Sequence, residues 1–104
     1  PSMKVVREEI FGPVVIVEGY SDFSEAINTL NDSDFGLQAG VFTKNWDQMQ
    51  EAFKRLHVGG VVINDVPTFR ADQQPYGGIK DSGLGREGPK YAIADMLEER
   101  VMIV

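Results

Sequence analysis

Cysteine is absent from this sequence. That excludes a disulfide framework, a thiolate zinc site and a cysteine nucleophile anywhere in the chain. Histidine is nearly absent too: His57 stands alone and cannot build a multi-histidine metal site. No apolar run approaches the ~18 residues of a membrane-spanning helix. No apolar stretch follows a basic segment at the start, so neither a membrane anchor nor a signal peptide is expected, and a cytoplasmic setting is. Basic residues are in the minority, 10 Lys and Arg against 16 Asp and Glu, for a formal net charge of -6. A surface that neutralises phosphates needs the opposite balance, so nucleic acid is not an expected partner.

What remains is an ordinary globular composition of one domain's length, with 42% hydrophobic and 25% charged residues in 104. Gly12-Pro13 introduces the apolar run Val14-Val15-Ile16-Val17, the pattern of a buried strand. Ser21 or Asp22 can cap a helix whose stripe is Phe23, Ala26, Ile27 and Leu30. The stop signals of Asn31 to Gly36 follow. Asn31-Asp32-Ser33 matches a glycosylation pattern, but without a secretion signal it reads as a helix end.

Leu37 to Thr43 reads as a second strand. Asn45 or Asp47 can cap a second helix, with stripe Trp46, Met49, Phe53 and Leu56 and with Ala52 adjoining. Gly59-Gly60 ends it, and Val61-Val62-Ile63-Asn64 is a third strand-like run. Strand, helix, strand, helix, strand argues for an α/β layer with parallel strands. Residues 65–88 carry no period and are rich in Gly and Pro, a loop long enough to suggest function. Pro89 suits a helix start, Tyr91 to Leu97 is helical in pattern, and Val101-Met102-Ile103-Val104 reads as a terminal strand. The opening Pro1-Ser2-Met3 offers no helix cap. An apolar strand left at an edge invites pairing with another chain.

Four groups of residues invite a chemical reading. Gly83-Leu84-Gly85-Arg86-Glu87-Gly88 fits G-x-G-x-x-G, but it follows a long loop rather than a strand, so a structural turn is the better reading than a dinucleotide site. Glu9, two residues before Phe11, suits a ribose diol beside a flat heterocycle, although a solvated Glu and a core Phe are commoner. Arg70, in the long loop with Asp65 and Asp72, is a rigid multi-donor fork suited to an anionic group, against the commoner fate of a solvated surface residue. His57, near a helix end, reads as a terminal charge rather than a base. No acid pair or Ser-His-Asp set is placed by spacing.

Several segments together resemble the NAD(P)-dependent aldehyde dehydrogenase superfamily. Glu8-Glu9-Ile10-Phe11-Gly12-Pro13-Val14 looks like its E-E-x-F-G-P-V segment. Residues 31–43, with Phe35-Gly36-Leu37 and Gly40-Val41-Phe42-Thr43, look like N-x-x-x-Y-G-L-x-A-x-V-F-T, with Phe35 for Tyr. Gly60-Val61-Val62-Ile63-Asn64 is similar to its Asn-ending strand, and Pro75 to Gly88 to its P-F-G-G-x-K-x-S-G-x-G-R-E block, with Tyr76 for Phe. The matches run in family order along nearly the whole chain.

The resemblance implies a partial catalytic domain: a small, mostly parallel sheet flanked by helices over residues 1–97, a long Gly/Pro loop, and an oligomerisation strand within 98–104. It implies that Glu9 holds the nicotinamide ribose of NAD or NADP and that Phe11 lies near the nicotinamide. It also implies that Phe69 and Tyr76 line the aldehyde pocket and that the terminal strand joins a neighbouring subunit of a homo-oligomer.

The family's nucleophilic Cys, general-base Glu, oxyanion Asn and Rossmann domain lie upstream of these motifs. No catalytic residue is therefore expected here, and the 104 residues are expected to be inactive without the rest of the catalytic chain. Residues 64–72 are similar to the branch acting on lactaldehyde, glyceraldehyde phosphate and phosphonoacetaldehyde, which implies that Arg70 selects a small polar or anionic aldehyde. The alternative is a stand-alone binding or assembly module that kept the fold without catalysis. Either way, the chain should expose apolar surface and self-associate in isolation.

Overall fold

The computed structural model describes residues 3–104. The elements run α1 Lys4–Arg7, α2 Phe23–Asn31, β1 Phe35–Gly36, β2 Gln38–Val41, α3 Trp46–Arg55, β3 Gly60–Ile63, β4 Ile79–Lys80 and α4 Pro89–Asp95. The expected α/β alternation is present at the centre. Strands β2 and β3 pair in parallel, Gln38 opposite Gly60 through Val41 opposite Ile63, with α3 as the connection between them. Helix α2 begins where the Asp22 carboxylate accepts the Glu25 N–H at 2.8 Å, and α3 where Asn45 accepts the N–H groups of Asp47 and Gln48.

The core is small. Ile27, Val41, Ala52 and Leu56 are buried, with Phe23, Ala39, Val58, Val61 and Ile63 packed around them. Polar side chains lock α2 to α3. Ser24 donates to Glu51, Arg55 pairs with Glu51 and donates to Asn28, and Asn31 bridges the Arg55 carbonyl and the His57 N–H. This last bond accounts for the course of the chain at His57, whose side chain is exposed.

Four sequence expectations are corrected. Val14-Val15-Ile16-Val17 is not a strand: no strand among the described residues offers it a ladder, and Val15 and Val17 are 84% and 90% exposed. Residues 101–104 likewise carry no strand within the chain and are exposed throughout. Helix α3 is rotated from its apparent stripe: Ala52 and Leu56 face the core, whereas Trp46 and Phe53 point outward because a core of four residues covers only a narrow face. The opening segment does form a short helix, α1, although Met3 gives it no side-chain cap.

The long loop is also less irregular than its composition suggests. It contains β4, which pairs antiparallel with β1 (Phe35 opposite Lys80), and an isolated antiparallel bridge between Tyr76 and Glu87. Gly59 joins the two small sheets. Its Cα lies so close to residue 77 that an added Cβ would sit 1.7 Å from the Gly77 carbonyl oxygen.

With its flanks exposed, the chain is extended, with a radius of gyration of 17.2 Å where a folded domain of this length has about 13 Å. Among the described residues, no helix is long and apolar enough to cross a membrane.

Candidate functional site

The loop that carries Arg70 leaves β3 at a fixed point. Asn64 adopts a left-handed conformation with φ 59°, which Asn tolerates better than most residues. Its side-chain oxygen accepts the Thr43 N–H at 2.9 Å and its own N–H donates to the Val41 carbonyl, so it closes the ends of both parallel strands. Asp65 then accepts the Val66 N–H in a tight local turn. Further on, the Gln38 side chain donates to the Phe69 carbonyl at 3.1 Å, tying the loop back to β2.

Tyr76 and Glu87 face one another across their bridge, exchanging both backbone hydrogen bonds at 3.1 and 2.6 Å. The Arg70 guanidinium sits on this pair. Its carbon lies 4.3 Å from the centre of the Tyr76 ring, and its Nη2 donates to Glu87 Oε2 at 2.5 Å. Among the described residues no acceptor meets its Nε or Nη1. Beside it runs an open groove of about 520 Å³, whose charged lining is Arg70, Asp72, Arg86, Glu87 and Asp95. Arg86 is tied to the backbone through Nη1, which donates to the carbonyls of Gly78 and Gly85 at 3.0 and 2.6 Å. Both guanidiniums keep N–H groups without an acceptor among the described residues, and Arg70 is the one of the two that lies over an aromatic ring.

The other candidates from the sequence fall elsewhere. Phe69 is half exposed and does not line the Arg70 groove, although its backbone begins the same stretch. Glu9 lies on a second groove of about 440 Å³, shared with Arg7, Phe35 and Leu37. Phe11 is 96% exposed. The structure thus brings Arg70 and Tyr76 together, and it separates them from Glu9 and Phe11. Among the described residues no group of three or more His, Cys, Asp or Glu is arranged to hold a metal ion.

Residues 83–88 run from the turn after β4 into the bridge and then α4, with Gly88 at φ 118° as the last residue before the helix. They open no strand–helix–strand unit, in keeping with the turn reading. Sequence reasoning named Glu87 only as part of that motif and missed its contacts with Arg70 and Tyr76. Its partner Tyr76 is 11 positions away across a bridge that leaves no periodic mark.

Comparison with known proteins adds the family. Residues 1–102 match the model of the aldehyde dehydrogenase family. The chain is 49% identical over 102 residues to a 3-sulfolactaldehyde dehydrogenase of Priestia megaterium, covering 98% of this chain and 21% of that protein. Among solved structures it is similar to aldehyde dehydrogenase 21 of Physcomitrella patens in complex with the reaction product succinate. That match has 56% identity and a TM-score of 0.85, over 88% of this chain and 19% of that one. It is also similar to the glyceraldehyde-3-phosphate dehydrogenase of Methanocaldococcus jannaschii complexed with NADP, at 43% identity and a TM-score of 0.70, over 73% and 17%. The chain spans about a fifth of the length of these relatives. With a family match over nearly its whole length and the fold of those structures, this chain belongs to the aldehyde dehydrogenase family.

Proposed function

We propose that this chain is the C-terminal part of the catalytic domain of an NAD(P)-dependent aldehyde dehydrogenase that oxidises a small, negatively charged aldehyde to its acid. In this reading residues 1–97 belong to the catalytic domain and residues 98–104 to subunit assembly. The observation that carries the substrate class is the Arg70 guanidinium, stacked on Tyr76 at 4.3 Å with Nε and Nη1 unengaged beside the groove. Glu87 takes one N–H of Nη2, so the guanidinium keeps one of its two-donor edges for a carboxylate, sulfonate or phosphate. The relatives named for sulfolactaldehyde and glyceraldehyde-3-phosphate, and the one holding succinate, all involve a small molecule with such a group.

Glu9 and Phe11 suit the nicotinamide-ribose end of the cofactor. The Glu9 carboxylate has no partner among the described residues and is free to accept two hydroxyls, and the Phe11 ring is open to stack. They fit that end alone; the phosphates need a cradle that residues 83–88, folded as a turn, do not form. When bound, NAD or NADP supplies the hydride acceptor. Phe69 and Tyr76 supply apolar surface that shields the aldehyde from water. The thiol nucleophile must come from elsewhere in the enzyme, since this chain has no cysteine, and the 104 residues alone are expected to turn over no aldehyde. The exposed apolar residues 101–104 suit a strand completed by a neighbouring subunit.

The test is Arg70→Ala in the full-length dehydrogenase. The ratio of kcat/KM for 4-oxobutanoate to that for the neutral analogue butanal should fall about tenfold or more, the value of a hydrogen bond to a charged group. An unchanged ratio rejects the substrate class.

A further inference from the structure

An arginine that selects an anion must present its fork in a fixed direction, because a freely rotating side chain loses entropy on binding and gives little selectivity. The Arg70 side chain is half exposed. Two contacts restrain it, the Tyr76 ring, with its centre 4.3 Å from the guanidinium carbon, and Glu87 at one corner. The two are a single device, since Tyr76 and Glu87 are paired backbone to backbone, so ring and carboxylate are held in register with each other. Glu87 engages only Nη2 and leaves Nε and Nη1 open.

We infer that Glu87 is a positioning residue for Arg70: with Tyr76 it holds the guanidinium so that the edge Glu87 does not occupy faces the anionic end of the aldehyde. This rests on the reading of Arg70 as the anion-recognising residue. Glu87 and the bound anion then occupy different edges of one guanidinium, an arrangement that the planar five-donor group permits and an ammonium does not. Substrate preference is in this way set partly by a residue that does not touch the substrate.

The experiment uses the full-length dehydrogenase and the discrimination ratio, kcat/KM for 4-oxobutanoate divided by that for butanal, so that any loss common to both aldehydes cancels. Glu87→Ala should lower the ratio about tenfold, mainly through KM for the charged aldehyde. Glu87→Gln keeps an oxygen acceptor for Nη2 and should lower it only about threefold, a partial rescue; this variant also preserves the test if the alanine variant fails to fold. In an Arg70→Ala background, Glu87→Gln should leave the ratio unchanged. A wild-type or raised ratio in the Glu87 variants, with Arg70→Ala still lowering it, overturns this inference and leaves the substrate class standing; a raised ratio would mean that Glu87 competes with the anion. A ratio unmoved by Arg70→Ala overturns both.

Discussion

Val61-Val62-Ile63 and Val14-Val15-Ile16-Val17 are nearly the same sequence, and they end differently. The first lies in β3, hydrogen-bonded to β2 and packed on the core through Val61 and Ile63. The second pairs with no strand among the described residues, and Val17 is 90% exposed. β-Branched apolar residues fit a pleated, half-buried surface; they do not create one. A strand is a relation between two segments, and the composition of one side cannot supply the other.

The sharpest way to break this contrast is to disturb the partner rather than the strand. Gly59→Ala sets a methyl group against the Gly77 carbonyl, where the added carbon would lie at 1.7 Å, and should cost about 3 kcal/mol or more in urea unfolding. Stability within 1 kcal/mol of the parent, an order-of-magnitude threshold, would show that the two small sheets separate freely.

The contrast itself is tested by a pair of truncations. In this chain Val61→Ala should cost about 1–2 kcal/mol, whereas Val17→Ala should stay within about 0.5 kcal/mol. Equal costs in this chain would break the comparison. A cost for Val17→Ala that appears only in the full-length enzyme would sharpen it, by showing that residues 14–17 gain their neighbour there. The smallest effect belongs to a local signal that needs no partner strand: Asn45→Ala, which removes the cap of α3, should lower stability by about 1 kcal/mol and reduce helical circular dichroism slightly.

That ordering also explains which parts of the fold were legible in the sequence. Asp22, Asn45 and Pro89 marked helix starts because capping is settled within a few residues. Strands β2 and β3 were readable as apolar runs on either side of a helix. The β1–β4 pair was not, because two-residue strands joining Phe35 to Lys80 have no room for a period. The outward turn of Trp46 and Phe53 was hidden for a different reason: an apolar stripe marks a helix face, and the amount of core available decides how much of it is covered.

The site divides along the same line. Arg70 and Tyr76 stood out as residue types within a family-like loop, and Glu9 and Phe11 within a family-like segment. The clamp on Arg70 depends on the bridge from Tyr76 to Glu87, a tertiary contact between two residues that looked unrelated.

One bond in the Arg70 loop separates two things that usually vary together. Gln38 holds this loop by the backbone carbonyl of Phe69, not by its ring. The anchor is indifferent to which side chain residue 69 carries, so that side chain can change while the loop keeps its course. A wall built this way can be resurfaced one residue at a time, and each replacement inherits a position already fixed by strand β2.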